Sequence, residues 1–206
     1  IKQHNLEKKL IIEDYNLNTK QILLINNYLE KLKKNNKIHN LVGASTLYNF
    51  WDRHVNDSLQ LTTFLPKKNS SIVDLGTGAG LPGLILSIYG YSNVLLIDSK
   101  LKKINFIKEF AEENKITIKT ICTRVEKIKN QKFDFIISRA FAPLKKLLNY
   151  SLLFTKKNTS LLFLKGRNVK DEIVDAKKYF NFQYSLHPSK SMGEGFVLKI
   201  INYKKK

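Results

Sequence analysis

The stretch VDLGTGAGLPG, Val73 to Gly83, places one carboxylate among closely spaced glycines. Gly78, Gly80 and Gly83 satisfy G-x-G-x-x-G, a dinucleotide turn, whereas Asp74, Gly76 and Gly78 spell D-x-G-x-G. In both patterns the glycines let the backbone turn tightly after a strand and approach a ligand at the strand's carboxyl end. The acid discriminates. A dinucleotide brings a pyrophosphate to the helix N-terminus, where an adjacent carboxylate repels it. A ligand with a cationic end, such as the ammonium and sulfonium of S-adenosylmethionine (AdoMet), suits Asp74, by direct contact or through loop amides that the carboxylate orders. The bland alternative is an Asp that only caps the turn. Asp98, which ends the next apolar run, can accept from ribose hydroxyls in either ligand class.

Arginine is rare, four residues against 32 lysines, so Arg53, Arg124, Arg139 and Arg167 stand where lysine is the compositional default. A planar, forked donor is the reason to keep arginine there. Arg53 and His54 fall one helical turn before Asp57 and Ser58, within i,i+3 and i,i+4 reach. His54 reads as a buried, hydrogen-bonded packing residue and Trp51 as core. The single cysteine, Cys122, lies in an apolar run and is expected in the core; it allows neither an internal disulfide nor a multi-cysteine metal site, and no metal is expected.

These residues need a scaffold, and the apolar pattern supplies one. Residues 1–64 read as helical, with Leu6, Leu10, Leu17, Ile22, Ile25, Leu29 and Leu32 as the buried face of an amphipathic stretch. A second helix is expected from an N-cap at Ser45 to just before Pro66. From Ser71 short apolar runs alternate with helical ones: SIVDLG, NVLLID, TIKTIC, FDFIIS and SLLFLKG are strand-sized. That alternation predicts an α/β fold with a mostly parallel sheet and helices on both faces. FQYSLH and GFVLKIINY, with no helix between them, predict a C-terminal antiparallel hairpin, and the final YKKK a frayed tail. The outline is a class I methyltransferase sheet. The division expected is a helical extension over 1–68 and an AdoMet-binding domain over 69–206.

The chain has 206 residues and a formal net charge of +19, which favours a polyanion partner. Lysine with asparagine is also the usage of A/T-rich codons, so part of the charge is compositional, yet only 17 acids offset 36 bases. No apolar run reaches the roughly 18 residues that span a bilayer, and the N-terminus lacks a signal-peptide pattern. The expectation is a soluble, cytoplasmic protein with no membrane contact, acting as a monomer.

RHVNDS (53–58), DLGTGAGLPG (74–83), LIDS (96–99), RVE (124–126), FDFIISRAF (133–141) and LKG (164–166) together resemble the bacterial ribosomal small-subunit methyltransferase G family, also called glucose-inhibited division protein B. The resemblance spans roughly residues 28–202. It implies transfer of a methyl group from AdoMet to N7 of a guanine in small-subunit ribosomal RNA, as naked RNA or an assembling subunit. It also implies that Gly76, Gly78 and Leu81 line the donor's methionine end and Asp98 holds its ribose. Val125 and Glu126 would border the adenine, and Arg139 would lie at the donor and methyl-transfer cleft, as a contact to the cofactor as well. The chain departs from the family at Ala79, commonly proline, at NLVG (40–43) in place of an NLT segment, and at Gly195, where an arginine is frequent.

Guanine N7 carries an in-plane lone pair and no proton, so its attack on a sulfonium methyl needs no general base, and catalysis reduces to alignment. Strand four ends in Ser138-Arg139-Ala140-Phe141, without the Asn/Asp-Pro-Pro-aromatic run that serves exocyclic amines. Arg139 and Lys165 are expected to position the base, either one donating to guanine O6. Arg53, Lys165 and Arg167 are the expected RNA contacts; Arg53 reaches phosphate or closes the cofactor cleft. Phe141 fits either a platform for an extruded base or a core position. Two other classes compete: an NAD-dependent oxidoreductase, disfavoured by Asp74, and a catalytically inactive basic RNA-binding module.

Overall fold

The computed structural model describes residues 2–191 and 193–206. The chain opens with α1 (Lys2–Asp14) and α2 (Thr19–His39). A reciprocal cap starts α2: the Gln21 amide donates to Asn18 Oδ1 at 2.9 Å, and the Asn18 amide donates to Gln21 Oε1 at 3.0 Å. Asn40 ends it in the left-handed conformation (φ 45°), which asparagine tolerates. Of the face that the spacing predicts in α2, Ile25 and Leu32 are buried and Ile22 and Leu29 partly so, and the buried Tyr28 joins them from outside that set. In α1 the expected face is wrong. Leu6 and Leu10 are 58% and 49% exposed, and Ile11 and Tyr15 point inward instead, because this helix packs by a stripe rotated from the leucines.

The second expected helix is broken. Gly43, not Ser45, precedes the first turn of α3 (Ala44–Tyr48), and no side chain caps it. After Asn49 the backbone widens into a π-helical segment (Trp51–Asn56), passes through one α turn, α4 (Asp57–Leu59), and tightens to a 3₁₀ stretch (Gln60–Phe64). π-Helical turns collect at functional sites because the extra residue re-aims side chains. Here it carries Arg53 and His54. Trp51 is buried, as expected.

Seven strands follow: β1 (Ile72–Leu75), β2 (Val94–Asp98), β3 (Lys119–Cys122), β4 (Phe133–Arg139), β5 (Thr155–Lys165), β6 (Phe180–Pro188) and β7 (Phe196–Lys205). Their order is β3-β2-β1-β4-β5-β7-β6, with β1 to β5 parallel and β7 antiparallel to both neighbours. The expected parallel sheet and terminal hairpin are both present. The strand order reverses between β1 and β4, which opens a crevice at their carboxyl ends where ligands of such sheets sit. Alternation along β1 sends Ile72 to the face covered by α2, α5 (Gly83–Tyr89) and α6 (Leu101–Glu113), and Val73 and Leu75 to the face covered by α7 (Leu144–Ser151) and α8 (Val169–Lys177). Asp74 therefore points to the α5 side.

Two further expectations fail. Cys122 is exposed: it ends β3, an edge strand with no fully buried residue. The C-terminal lysines are not frayed. β7 continues to Lys205, and the Lys206 amide donates to the Tyr179 carbonyl at 2.9 Å.

Candidate active site

The turn after β1 is held by one buried acid. Asp74 is fully buried; its Oδ2 accepts from Thr77 Oγ1 at 2.7 Å and from the Gly83 amide, at the start of α5, at 2.9 Å. Burial raises its carboxyl to about 6, although these two bonds pull it down. Asp74 does not line the cavity described below. Of the two roles its sequence position allows, the structure shows the indirect one: the carboxylate orders the loop. Gly76 and Gly78 take φ values of +68° and +61°, which L side chains rarely adopt. A Cβ on Gly83 would stand 2.2 Å from Leu96 Cδ2, so only glycine lets α5 sit this close to β2.

Other elements brace the same turn. The Thr77 amide donates to the Ile97 carbonyl at 2.9 Å, and the Gly78 amide to Asp98 Oδ2 at 3.0 Å. Asp98 Oδ1 accepts from the Lys100 amide at 2.8 Å. From α2, the buried Tyr28 hydroxyl donates to the Ala79 carbonyl at 2.9 Å, so the N-terminal helices fix the ligand loop directly.

A cavity of about 790 Å³ opens at the carboxyl ends of β1, β4 and β5. Of the residues expected from sequence, Arg53, Gly76, Gly78, Leu81, Arg139, Lys165 and Arg167 all line it. Asp98, Val125 and Glu126 do not. Asp98 is occupied with the glycine loop, Val125 is buried under the sheet, and exposed Glu126 accepts from the Tyr150 hydroxyl at 2.8 Å. Phe141 connects the two groups. Its ring lies on Gly76, where a Cβ would meet Cδ2 at 2.2 Å, and its centroid is 5.8 Å from that of Tyr150. The ring is 37% exposed, so Phe141 is not a core residue.

Charge on the opposite wall is paired. Ser138 Oγ donates to the Leu75 carbonyl at 2.7 Å, tying the end of β4 to the end of β1 and setting where Arg139 leaves the sheet. Arg139 Nη1 then donates to the Arg53 carbonyl at 2.9 Å and to Asp57 Oδ2 at 3.3 Å. Lys165 Nζ lies 2.6 Å from Glu172 Oε2 and donates to the Ala142 carbonyl at 3.2 Å. That same Glu172 oxygen accepts the Leu144 amide at the start of α7 at 2.6 Å. Lys165 is thus a bound, 9% exposed cation, whereas Arg53 and Arg167 are exposed at the rim.

His54 is buried, with Nε2 2.9 Å from Thr46 Oγ1, and its Nδ1 is buried without a partner. Burial first, then the Arg139 and Arg53 charges, lowers it to about 3, so it is neutral, as a packing residue should be. Burial raises the Asp57 carboxyl, while Arg139 and Ser191 hold it down. Sequence reasoning missed Glu172, Tyr28, Thr77 and Lys103, the last with Nζ 3.9 Å from where a Gly78 Cβ would be. Thr77 lies inside the quoted turn and could have been singled out; the other three reach the site from separate helices, and no local pattern marks them.

The site fits AdoMet. A cavity of this size matches those that hold cofactors, Gly76, Gly78 and Leu81 line it together, and the two glycines hold backbone angles that bring the main chain, with no side chain in the way, to its wall. A family model described as rRNA small subunit methyltransferase G matches residues 21–194. The chain is 37% identical over 187 residues to the ribosomal RNA small subunit methyltransferase G of Orientia tsutsugamushi, covering 91% of this chain and 93% of that protein. Among solved structures it is similar to the ribosomal protein L11 methylase of Lactobacillus delbrueckii (TM-score 0.57, 20% identity, 73% and 77% of the two chains). It is also similar to M. jannaschii TYW2 in complex with AdoMet (TM-score 0.54, 15% identity, 73% and 77%). At these identities the structures show the shared class I methyltransferase fold.

Proposed function

The chain belongs to the rRNA small subunit methyltransferase G family, and we propose from that premise that it transfers a methyl group from AdoMet to N7 of a guanine in small-subunit ribosomal RNA. One observation beyond the family supports N7: among the described residues of the cavity wall, the groups that could take a proton from a substrate are already engaged. Asp57 accepts from Arg139, Glu172 from Lys165 and the Leu144 amide, and His54 is neutral with its partnerless nitrogen buried. The acid that remains is Glu194, exposed at the rim. A wall of this kind suits a nucleophile that has no proton to lose.

AdoMet, when bound, supplies an electrophilic methyl on sulfur. Everything else falls to the protein. Gly76, Gly78 and Leu81 hold the methionine end. Asp98 keeps lone pairs for ribose hydroxyls beyond the two amides it already accepts, and Val125 and Glu126 flank the adenine behind Phe141. Arg139, fixed by Asp57, aims its remaining N–H groups at the guanine edge and fills the role of positioning residue. Lys165 supports that wall through Glu172. Arg53 and Arg167 contact RNA phosphates. The extension 1–68 and the domain 69–206 act as one unit, a cytoplasmic monomer.

The test is incubation of the protein with labelled AdoMet and small subunits lacking the modification, followed by mapping of N7-methylguanosine through N7-specific strand cleavage. One methylated guanine per subunit is expected. Label on another atom, or none on RNA, would overturn the assignment.

A further inference from the structure

The segment between β6 and β7 is fastened to the helical run beneath it by a dense set of bonds. Asn56 Nδ2 donates to the Lys190 carbonyl at 3.1 Å, the Lys190 amide donates to Gln60 Oε1 at 2.9 Å, and Gln60 Nε2 donates to Ser189 Oγ at 3.0 Å. Ser191 Oγ donates to Asp57 Oδ1 at 3.3 Å and Ser189 Oγ to the same oxygen at 3.5 Å, while Gln60 Nε2 reaches it at 2.9 Å. The other oxygen of Asp57 receives Arg139. Asp57 is thus divided: one oxygen faces the loop, the other the end of β4. Gly193, Glu194 and Gly195 line the mouth of the cavity, and the Gly193 backbone passes so near Arg53 that a Cβ would lie 2.8 Å from Nη1.

We propose that Asp57 is a positioning residue that couples two parts of the site, fixing the Arg139 guanidinium with one oxygen and latching residues 189–191 with the other, so that the cavity mouth and the β4 arginine are set together. Coupling follows from the chemistry. A carboxylate accepts on both oxygens, so removing its charge weakens both arms at once, whereas an amide in its place presents a donor to one of them. The proposal rests on the reading of this cavity as the methyl-transfer site, but the latch itself is measurable without RNA.

Two variants separate the arms. Asp57→Asn keeps shape while removing charge from both arms. Ser189→Ala combined with Ser191→Ala cuts the loop arm, together with the Gln60–Ser189 bond, and leaves the Arg139 arm in place. The readouts are backbone amide exchange over 189–191 and 193–195, with β1 as internal reference, equilibrium AdoMet affinity, and kcat and KM on small subunits. In Asp57→Asn, exchange of the loop is expected to accelerate about tenfold with β1 unchanged. Its kcat should fall by roughly 10- to 100-fold, as when a reacting group is misplaced by about an ångström, and AdoMet affinity should stay within about threefold. The double serine variant should free the loop equally and raise KM for the subunit with a smaller loss of kcat. Adding it to Asp57→Asn should accelerate loop exchange no further, since both act through one network. A merely structural Asp57 would speed exchange in β1 together with the loop. Unchanged loop exchange in both variants would overturn the proposal, and if Asp57→Asn does not fold, the serine variant alone decides. An RNA that is never methylated by the wild type would overturn the proposed reaction, and loop exchange alone would then decide for or against the latch.

Discussion

On the side of the cavity proposed to hold the donor, the wall is backbone: the turn of Gly76 to Gly78, shaped by Asp74, Asp98 and the Tyr28 hydroxyl from behind. On the side proposed to face the acceptor, the wall carries long side chains, Arg139 and Lys165, each paired with an acid, Asp57 or Glu172, from another element of the chain. A backbone wall is stiff and tolerates almost no added volume. A wall of ion pairs can be loosened one partner at a time. Substitutions on the donor side should therefore cost folding and cofactor affinity together, and those on the acceptor side should cost turnover while the fold stands.

The strongest test of that contrast is Gly83→Ala, whose methyl would collide with Leu96 and approach Asp74 Oδ2 to 2.8 Å. A loss of about 3 kcal/mol of stability is expected in urea unfolding, at the upper end for overpacking, with AdoMet affinity lost in parallel. Arg139→Ala should lower kcat by roughly 100-fold, about 2.7 kcal/mol, with thermal stability nearly unchanged and AdoMet affinity altered little. If Arg139→Ala instead unfolds the protein, the distinction between the walls fails.

Acid should lower the stability of the fold through the buried His54. His54 is neutral in the folded protein down to about pH 3, while the unfolded chain takes up a proton near 6.5; the unfolded state binds more protons between these values, so stability is full above 6.5 and falls as pH drops. Asp74 has the opposite sign. Its folded carboxyl protonates near 6 and its unfolded one near 3.8, so its contribution is present at low pH and lost as pH rises through 6. Between pH 6.5 and 5 the wild type should lose roughly 2 kcal/mol relative to His54→Asn in matched urea titrations. Equal slopes in the two proteins would show that His54 is not the acid-sensitive group.

Smaller effects sharpen each side. Tyr28→Phe removes the donor to the buried Ala79 carbonyl, and a loss of about 1 kcal/mol is expected, seen as a few-fold weaker AdoMet binding by calorimetry. Arg167→Ala at the exposed rim should raise KM for RNA a few-fold, reduce the salt dependence of binding by about one counterion, and leave AdoMet affinity untouched.

The same contrast explains what could be read from residues alone. Asp74, its glycines and Asp98 lie close together in the chain, at the ends of adjacent parallel strands, and their spacing encodes the turn; the sheet was legible for the same reason, since alternating apolar runs report strands and helices locally. Arg139 could be placed because it ends a strand. Its partner Asp57 lies 82 residues earlier and Tyr28 is 51 from Ala79, pairings set by packing that no periodicity records. Leu6 and Leu10 mislead because α1 has two plausible stripes and the tertiary contact selects the one through Ile11 and Tyr15. Cys122 misleads because an apolar run does not say whether its strand is central or at the edge.

The pH dependence of the single-turnover methylation rate, at saturating AdoMet and small subunits, tests most directly whether this site orients a nucleophile without deprotonating it. A rate that is flat from pH 7 to about 9 is what a proton-free N7 aligned by Arg139 requires; a rate that climbs tenfold per pH unit over that range would require a base and contradict the account.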